Sequence, residues 1–595
     1  MSNPNQPAAP SRWQRLFPFL AWRDGYDGRA LRQDIVAGIT VAVVLIPQSM
    51  AYSLLAGLPA HHGLYAALVT PVVGALWGSL RQLATGPHAI VSLLVLTTLS
   101  AHAEPGSPAY VNLAFQLAAM VGVVYLLLGA FRLGAAMSFV SSSTVKGFNA
   151  SAALIIICTQ LPHLLGVPVQ GSSSAIAGLI HTARQIPAIS LPTLGIGLLA
   201  FALIYGVKRR YPKVPAALIA VSALATLAWA LGLEHHGVQV IGALPRGLPL
   251  PSLPTVRLDL VPPLLGPAFV IALVGFTGTY SIGRAVSEQT HQKVNVNQEL
   301  LGQGLANLAG ALFRGFPVSG SFSRTALGFS VGARTGVASV VASLVVLLAL
   351  IFLAPALGYI PRAALAAVVI AAVLLLFHPV EVFALWRKNR HDGVVAVTVF
   401  ALALVLKPDY ALLIGVIVSL ALFLWRSMHP RIVQVTKRPG EPVFVNHALD
   451  GLPLCPQLCM VRIDTAIYFA NAEYTVEQVL AVLDGQEGAV RHLVLDMKGV
   501  GFIDITGAEE LSRMVHELKG RRVGLAMVGL HLPVQKICAA VGLIEQMGPE
   551  RLFVSYQDAV ATLVSSIDLD LCRERCPHRV FDPCAELKTP MGSGA

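Results

Sequence analysis

Two patterns of apolar and polar positions divide the chain. From residue 34 to about residue 427, apolar residues run almost continuously, broken by Gly, Pro and short basic stretches. From about 440 to 565, short strand-like apolar runs alternate with stretches that read as amphipathic helices. A spanning helix needs about 20 apolar residues, so the first region predicts membrane segments. The region has room for twelve to fourteen, with coarse bounds 35–56, 61–79, 87–102, 108–131, 145–165, 190–207, 214–232, 262–283, 297–313, 321–333, 336–358, 362–377, 391–406 and 409–427. Two of them, 87–102 and 321–333, are too short to cross as full helices. The second region predicts a soluble α/β domain. The expected organisation is an N-terminal segment 1–33, a membrane region 34–427, a linker 428–444, an α/β domain 445–565 and a tail 566–595.

Composition supports that division. Of 595 residues, 55% are hydrophobic and 12% charged, against roughly a quarter charged in soluble globular chains. Mean hydropathy is +0.68. These values exclude a disordered chain, a fibrous protein and an ordinary soluble enzyme. The net charge of +11 is gathered between apolar runs, which points to membrane topology and away from nucleic acid. Lys208, Arg209, Arg210 and Lys213 follow the sixth stretch, and Arg387, Lys388 and Arg390 the twelfth. Arg426, Arg431, Lys437 and Arg438 follow the fourteenth. Residues 1–33 are polar, carry Arg12, Arg15, Arg23, Arg29 and Arg32, and lack the apolar core of a signal peptide. A cytoplasmic N-terminus and an even number of spans then put all three clusters, and the α/β domain, on the cytoplasmic side. Polar termini without a transit peptide suggest a bacterial inner membrane. Seven cysteines without a framework of close spacings do not read as a disulfide scaffold.

The two short apolar stretches carry the first candidate chemistry. "ATGPHAIVSLL" (84–94) and "PVSGSFSRTAL" (317–327) both run small residues into a short apolar helix, about 230 positions apart. "PQSMAYSLL" (47–55) and "FTGTYSIGR" (276–284) share a similar offset. Paired, interrupted segments in corresponding places are a sequence pointer to a transporter's central site. Ala84 to Gly86 should lie extended before Pro87, which is suited to open a helix. Ser319 to Arg324 begins the other in the same style. Two such helices starting at mid-membrane would aim free N–H groups and positive dipole ends at one point, an anion site built from backbone. Arg324 lies in the first turn of the second; an intramembrane Arg points to a cavity or a partner, or else snorkels from an interface.

Other features are less specific. Pro47 interrupts the first span, and Gln48 and Tyr52 share a face there at i and i+4; they offer polar groups to a central cavity or bond neighbouring helices. In "LVLDMKGVGFIDITGAEEL" (493–511), Thr506 reads as a helix N-cap whose hydroxyl is also a candidate for phosphorylation. Cys572, Cys576, His578 and Cys584 in the tail are metal-ligand types, but their spacing is not that of paired zinc knuckles. No P-loop, GxSxG or HExxH signature occurs, so neither ATP hydrolysis nor covalent catalysis is indicated, and no cofactor is expected.

With these residues assembled, the chain resembles the SulP anion transporters, also called solute carrier 26. The resemblance rests on "DIVAGITVAVVLIPQSMAYSLLAGLPAHHGLYAAL" (34–68), "TGPHAIVSL" (85–93), "NQELLGQGLANLAGALFRGFPVSGSFSRTAL" (297–327) and "GARTGVASV" (332–340). Residues 445–565 resemble the STAS domain attached to these transporters. The resemblance implies an α-helical polytopic fold of fourteen segments in two inverted seven-segment repeats, with core and gate domains, plus a cytosolic α/β STAS domain. It implies elevator-like motion, homodimers and a STAS domain that serves assembly or regulation.

Carried over position by position, the family's substrate site falls on Gln48 and Tyr52, on Pro87, His88 and Ala89, and on Ser321, Phe322, Ser323 and Arg324, with Thr279 from the eighth segment. Many members carry an acidic coupling residue in that eighth segment. Here Gly278 takes its place, which puts carboxylate-based symport in doubt. His88, at a half-helix N-terminus, is the substitute candidate for coupling. The function expected is secondary active transport of a small inorganic oxyanion, sulfate first, with symport by proton or sodium, or antiport, left open. The alternatives are bicarbonate or dicarboxylate exchange and an uncoupled, channel-like anion conductance. The remaining expected partners are the lipid bilayer, a second copy of the chain and a cytosolic ligand of the STAS domain, with no role for nucleic acid.

Overall fold

The computed structural model describes residues 17–586, apart from 24–25, 136–139, 169–174, 212–213, 246, 291, 293, 375, 487–489, 577 and 579. Arg12, Arg15 and Lys213 of the basic clusters lie outside the described residues. Contacts divide the chain into two units, Met1–Leu420 and Ala421–Ala595.

The first unit is helical, and its order of elements occurs twice. The first half contains α1 (Gly28–Leu55), α2 (Ala60–Trp77), β1 (Thr85–Gly86), α3 (Ala89–Leu99), α4 (Pro108–Ala130) and α5 (Ser142–Leu165). The short α6 (Ala175–Arg184), then α7 (Leu191–Arg210) and α8 (Ala216–Leu231), complete it. The second half contains α9 (Val261–Thr290), α10 (Val296–Leu312), β2 (Ser319–Gly320), α11 (Phe322–Val331), α12 (Val337–Leu357) and α13 (Arg362–Val373). The short α14 (Pro379–Lys388), then α15 (Arg390–Val405) and α16 (Pro408–Met428), close it. All fourteen expected apolar stretches carry a helix. Seven helices among the described residues are long and apolar enough to cross a bilayer alone; the others are shorter or less apolar. Seven segments per half is an odd number, so the second half runs through the bilayer in the opposite sense to the first.

Packing sorts the helices into two bundles. Helices α1–α4 pack with α9–α12, and α5, α7 and α8 pack with α13 to α15. Small residues set the close approaches. A Cβ on Gly63 of α2 would lie 1.9 Å from the Ser49 carbonyl oxygen of α1, so only hydrogen fits there. A Cβ on Gly147 of α5 would lie 2.3 Å from the Ala396 carbonyl oxygen of α15. Pro47 is accommodated within a continuous α1 and does not end it.

The second unit holds a six-stranded sheet in the order β4-β3-β5-β6-β7-β8. Its strands are β3 (Ile432–Lys437), β4 (Phe444–Asn446), β5 (Leu458–Ile463), β6 (His492–Asp496), β7 (Gly524–Val528) and β8 (Leu552–Phe553). β5 through β8 are parallel, and β3 pairs antiparallel with β4 and β5. A largely parallel sheet needs both faces covered. One core contains Cys459, Val461, Leu493 and Leu495 with α17 (Ala472–Asp484) and α18 (Ile505–Gly520). The other contains Val433, Met460, Val494 and Val528 with α19 (Tyr556–Leu563) and tail residues Cys572, Phe581 and Cys584. Thr506 is not the cap of α18: Asp504 accepts the Gly507 N–H at 2.7 Å, and Thr506 is exposed in the first turn. A carboxylate at that position satisfies the free N–H groups as a hydroxyl does, and adds favourable charge at the dipole's positive end.

Candidate functional site

The two short apolar stretches meet. β1 and β2 pair antiparallel, with Thr85 opposite Gly320 and Gly86 opposite Ser319. Further bonds knit the crossing: Ser321 N–H donates to Ala84 C=O (2.9 Å), and Ala84 N–H to Thr325 Oγ1 (3.0 Å). A short helix leaves each strand, α3 after β1 and α11 after β2. Pro87 precedes α3 and does not open it; His88 occupies the cap position and makes no side-chain cap bond. The first-turn N–H groups of Ala89, Ile90 and Val91 therefore have no partner within the helix. At α11, Ser321 is the cap, and of the main-chain N–H groups in the first turn its hydroxyl accepts that of Arg324, at 3.5 Å. Two helix N-termini with unspent donors thus start beside one another, in the core of the first bundle.

Arg324 is 1% exposed. Its Nη2 donates to the Pro87 carbonyl at 2.9 Å, and its Nη1 to Gln48 Oε1 at 3.4 Å. Its Nε has no hydrogen-bond partner. Among the described residues no carboxylate pairs with this guanidinium. Gly86, at φ 153°, leaves room for it: a Cβ there would sit 3.2 Å from Nη2. His88 and Tyr52 both lie within electrostatic range of Arg324. His88 Nδ1 is buried without a hydrogen-bond partner.

α10 braces the crossing with three residues at helical spacing. Glu299 accepts from Ser79 N–H (2.8 Å), Ser79 Oγ (3.1 Å) and Leu80 N–H (3.2 Å). Gln303 Nε2 donates to Thr85 Oγ1 of β1 (2.8 Å) and to Glu299 Oε1 (3.2 Å). Asn307 binds Val318 twice, accepting from its N–H (2.9 Å) and donating to its C=O (3.1 Å). One helix therefore holds the approaches to both strands. On α2, the corresponding position in the first half, His62 Nδ1 contacts the Arg314 carbonyl oxygen at 2.8 Å.

A cavity of about 200 Å³ lies between the two bundles. His88, Gly278, Ser319 and Phe322 line it from the first bundle, and Phe148 and Asn149 from the second. Of the expected site residues, His88, Phe322 and the coupling position Gly278 reach this wall. Arg324 lines a separate cavity of about 20 Å³ together with Thr85 and Leu45. Gln48 and Pro87 each accept a hydrogen bond from Arg324, and Tyr52 is buried near that guanidinium. Ala89 contributes a free N–H, Ser321 is the cap, and Ser323 is exposed with its hydroxyl 3.4 Å from that of Ser321. Thr279 is fully buried; its Oγ1 donates to Gly275 C=O and accepts the Gly320 N–H at 3.0 Å, so it fixes β2. Sequence reasoning passed over Glu299, Gln303 and Asn307, although their i, i+4, i+8 polar spacing on an apolar helix was a usable signal. It also passed over Asn149, a lone amide with no such pattern around it.

In the tail, Cys572 and Cys584 are buried, Cys576 is half-buried and His578 is exposed. Among the described residues no group of three or more His, Cys, Asp or Glu is arranged to hold a metal ion.

Comparison with known proteins places this geometry. Residues 31–399 match the sulfate permease family, and residues 452–559 match the STAS domain. A probable sulfate transporter of Mycobacterium tuberculosis is 34% identical over 539 residues, covering 90% of this chain and 96% of the relative. Sulfate transporter 4.1, chloroplastic, of Arabidopsis thaliana is 31% identical over 570 residues, covering 92% of this chain and 82% of the relative. Among solved structures, the murine Solute Carrier 26 family member A9 anion transporter in the inward-facing state superposes with a TM-score of 0.85 at 24% identity, covering 95% of this chain and 96% of that one. The transmembrane domain of a cyanobacterium bicarbonate transporter, BicA, gives a TM-score of 0.57 at 21% identity, covering 66% of this chain and 98% of that one. At these identities the two structures speak to the fold alone.

Proposed function

The chain belongs to the sulfate permease family, whose members are multi-pass anion transporters and not enzymes, and from that premise we propose that it carries sulfate, bound between the N-termini of α3 and α11. One observation carries this reading. Arg324 is a buried cation without a carboxylate partner among the described residues, set where two half-helices begin. An uncompensated buried charge is costly, and an anion at the adjacent helix ends offsets it. The N–H groups of Ala89 to Val91 and of Phe322 and Ser323 supply the hydrogen bonds, with His88 Nδ1 as a further partner. Arg324 acts through its field and by holding the Pro87 carbonyl away from the anion. Hydrogen bonds to charged groups contribute about 1.5–3 kcal/mol each, net of the water bonds they replace, so a few of them favour binding.

The binding groups all belong to the first bundle, and the cavity lies against the second. This arrangement supports an elevator in which the first bundle slides past the second with its anion. The transporter works as a homodimer in the cell's inner membrane, with its N-terminus and STAS domain in the cytoplasm and an unidentified cytosolic partner engaging STAS, at Thr506 if by phosphorylation. Gly278 offers no carboxylate, and an added Cβ there meets nothing within 4 Å. His88 is therefore the coupling candidate in the cavity wall.

The test is radiolabelled sulfate uptake into proteoliposomes, with and without an inward proton gradient. Uptake driven by the gradient, with the dependence lost in His88→Asn, assigns proton coupling to His88. Uptake indifferent to the gradient assigns exchange or uniport. No sulfate uptake, with bicarbonate uptake present, overturns sulfate as substrate.

A further inference from the structure

The STAS family match ends at residue 559, but the sheet's second face is not finished there. Ile567, Cys572, Phe581 and Cys584 continue across it. Gln457 anchors this tail, donating from Nε2 to the Asp568 carbonyl (2.8 Å) and to Cys572 Sγ (3.2 Å), while its Oε1 accepts the Asp568 N–H (2.9 Å). Lys437 of β3 pairs with Asp582. Phe581 stacks on Phe444 of β4 at 6.3 Å between centroids. Ile567, Cys572, Phe581 and Cys584 join Val433, Met460 and Val494 of the sheet in one core.

Four thiols gather at this seam. Cys455, just before β5, is buried, as are Cys572 and Cys584 of the tail, and all three are free. Cys584 interacts directly with the Cys572 side chain, and Cys576 is within electrostatic range of both. Cys455 feels both Cys572 and Cys584. Cys576 alone is half-buried and meets solvent.

We propose that Cys455, Cys572, Cys576 and Cys584 form an oxidation site at which a hydroperoxide locks the tail onto the sheet. The Cys576 sulfur attacks the peroxide; an S–O bond forms, the O–O bond breaks, and the alcohol or water leaves with the thiol's proton. Cys584 then attacks the sulfenic sulfur, forming the Cys576–Cys584 disulfide and releasing water. Each sulfur loses one electron, and the peroxide takes up two. Exchange by Cys455 at the Cys584 sulfur re-forms the Cys576 thiol and ties the tail covalently to the segment leading into β5. Disulfides of this kind in reducing compartments are characteristically transient sensors. Burial pushes the Cys455 thiol up to about 11, and those of Cys572 and Cys584 upward as well. Of the four sulfurs only Cys576 meets solvent, so a hydroperoxide reaches it first. What the lock controls is exposure of the sheet's second face, which the tail covers.

The test is peroxide treatment of the full-length protein in detergent, followed by alkylation and peptide mass mapping. The expected products are disulfides confined to residues 455, 572, 576 and 584, with Cys459 and Cys538 left as thiols, and reversal by dithiothreitol. Oxidation should also slow hydrogen exchange across 567–586. Cys576→Ser should slow disulfide formation at least tenfold, while that variant's thermal unfolding stays as in wild type. Oxidation of Cys576 only as far as sulfinic or sulfonic acid, with no disulfide, overturns the proposal. Stoichiometric zinc that shields the four thiols until a chelator removes it also overturns it, in favour of a metal site.

Discussion

Glu299 gives the most quantitative test of how the crossing is held. It is 1% exposed and accepts four hydrogen bonds, from Ser79 N–H, Ser79 Oγ, Leu80 N–H and Gln303 Nε2. In Glu299→Ala the Ser79 hydroxyl can turn to another acceptor, but two main-chain N–H groups and the Gln303 amide lose theirs. Each buried donor left unsatisfied costs about 1–3 kcal/mol. The sum is about 3–9 kcal/mol, against a whole-protein stability of about 5–15 kcal/mol. Glu299→Gln behaves differently. Its carbonyl still faces Ser79 and Leu80, and its NH2 meets Gln303. Gln303 Oε1 is buried without a partner, so a flip of that amide turns the clash into a bond and lets the Thr85 hydroxyl donate to Gln303. The cost is the lost charge assistance, about 1–2 kcal/mol, plus that of turning the Gln303 NH2 away from Thr85 and residue 299, about 1–3 kcal/mol. The assay is thermal unfolding of the two variants in detergent beside sulfate uptake in proteoliposomes. Glu299→Ala should be strongly destabilised and inactive, and Glu299→Gln less destabilised, with part of its uptake retained. Wild-type stability in Glu299→Ala would refute the argument. Equal damage in both variants would show that the charge, and not the hydrogen-bond geometry, holds the loop.

Other perturbations follow from the same geometry. Gly86→Ala forces a side chain into φ 153° and to 3.2 Å from Arg324 Nη2; strain of about 1–3 kcal/mol should leave protein that is made but transports at least tenfold more slowly, as flux assays read directly. Gly63→Ala puts a methyl 1.9 Å from a main-chain oxygen and should abolish folded protein by size-exclusion profile. Gly278→Glu has space for its side chain and adds a negative charge to the cavity wall. At an effective dielectric near 20, unit charges about 6 Å apart repel by about 3 kcal/mol, so sulfate KM should rise at least tenfold at pH 7.5 and recover only as pH falls toward about 4, near the ordinary glutamate pKa; an unchanged KM would remove the anion from this cavity. In the second unit, burial first, and then Arg551, hold His492 below the usual histidine range. The unfolded chain therefore binds the proton more readily, so β6 should be stable above about pH 6.5 and lose stability as pH falls below it. Hydrogen exchange at residues 492–496, corrected for intrinsic rates, should show this, and His492→Gln should flatten it.

Most of the architecture was legible because a bilayer imposes a length on every apolar segment. The same constraint made 87–102 and 321–333 conspicuous, and the structure shortens them further, to Ala89–Leu99 and Phe322–Val331. Their meeting was expected from symmetry and helix dipoles, but the strand pairing that creates it was not. Two residues per strand carry no periodicity to read. α6 and α14 escaped because each is a single ten-residue amphipathic helix, too short to separate from a loop. Arg324 was identifiable as an unusual intramembrane charge, yet its hydrogen bond to a carbonyl across 237 positions depends on folding alone. Glu299 was read as part of a family signature, and its role as a brace emerges only when Ser79 and Leu80 are beside it. In the α/β domain the strand and helix pattern was plain, while the tail's place in the core was hidden by its polar composition.

The central claim is that one anion sits where α3 and α11 begin. Selenate replaces sulfate with nearly the same shape and charge and carries an anomalous scatterer. Diffraction at the selenium edge from crystals of the full-length protein soaked in selenate measures its position directly. The account predicts one strong anomalous peak within hydrogen-bonding reach of the Ala89 and Phe322 main-chain N–H groups, weakened in Arg324→Ala. A peak confined to the surface, or one bound elsewhere between the bundles, would contradict it.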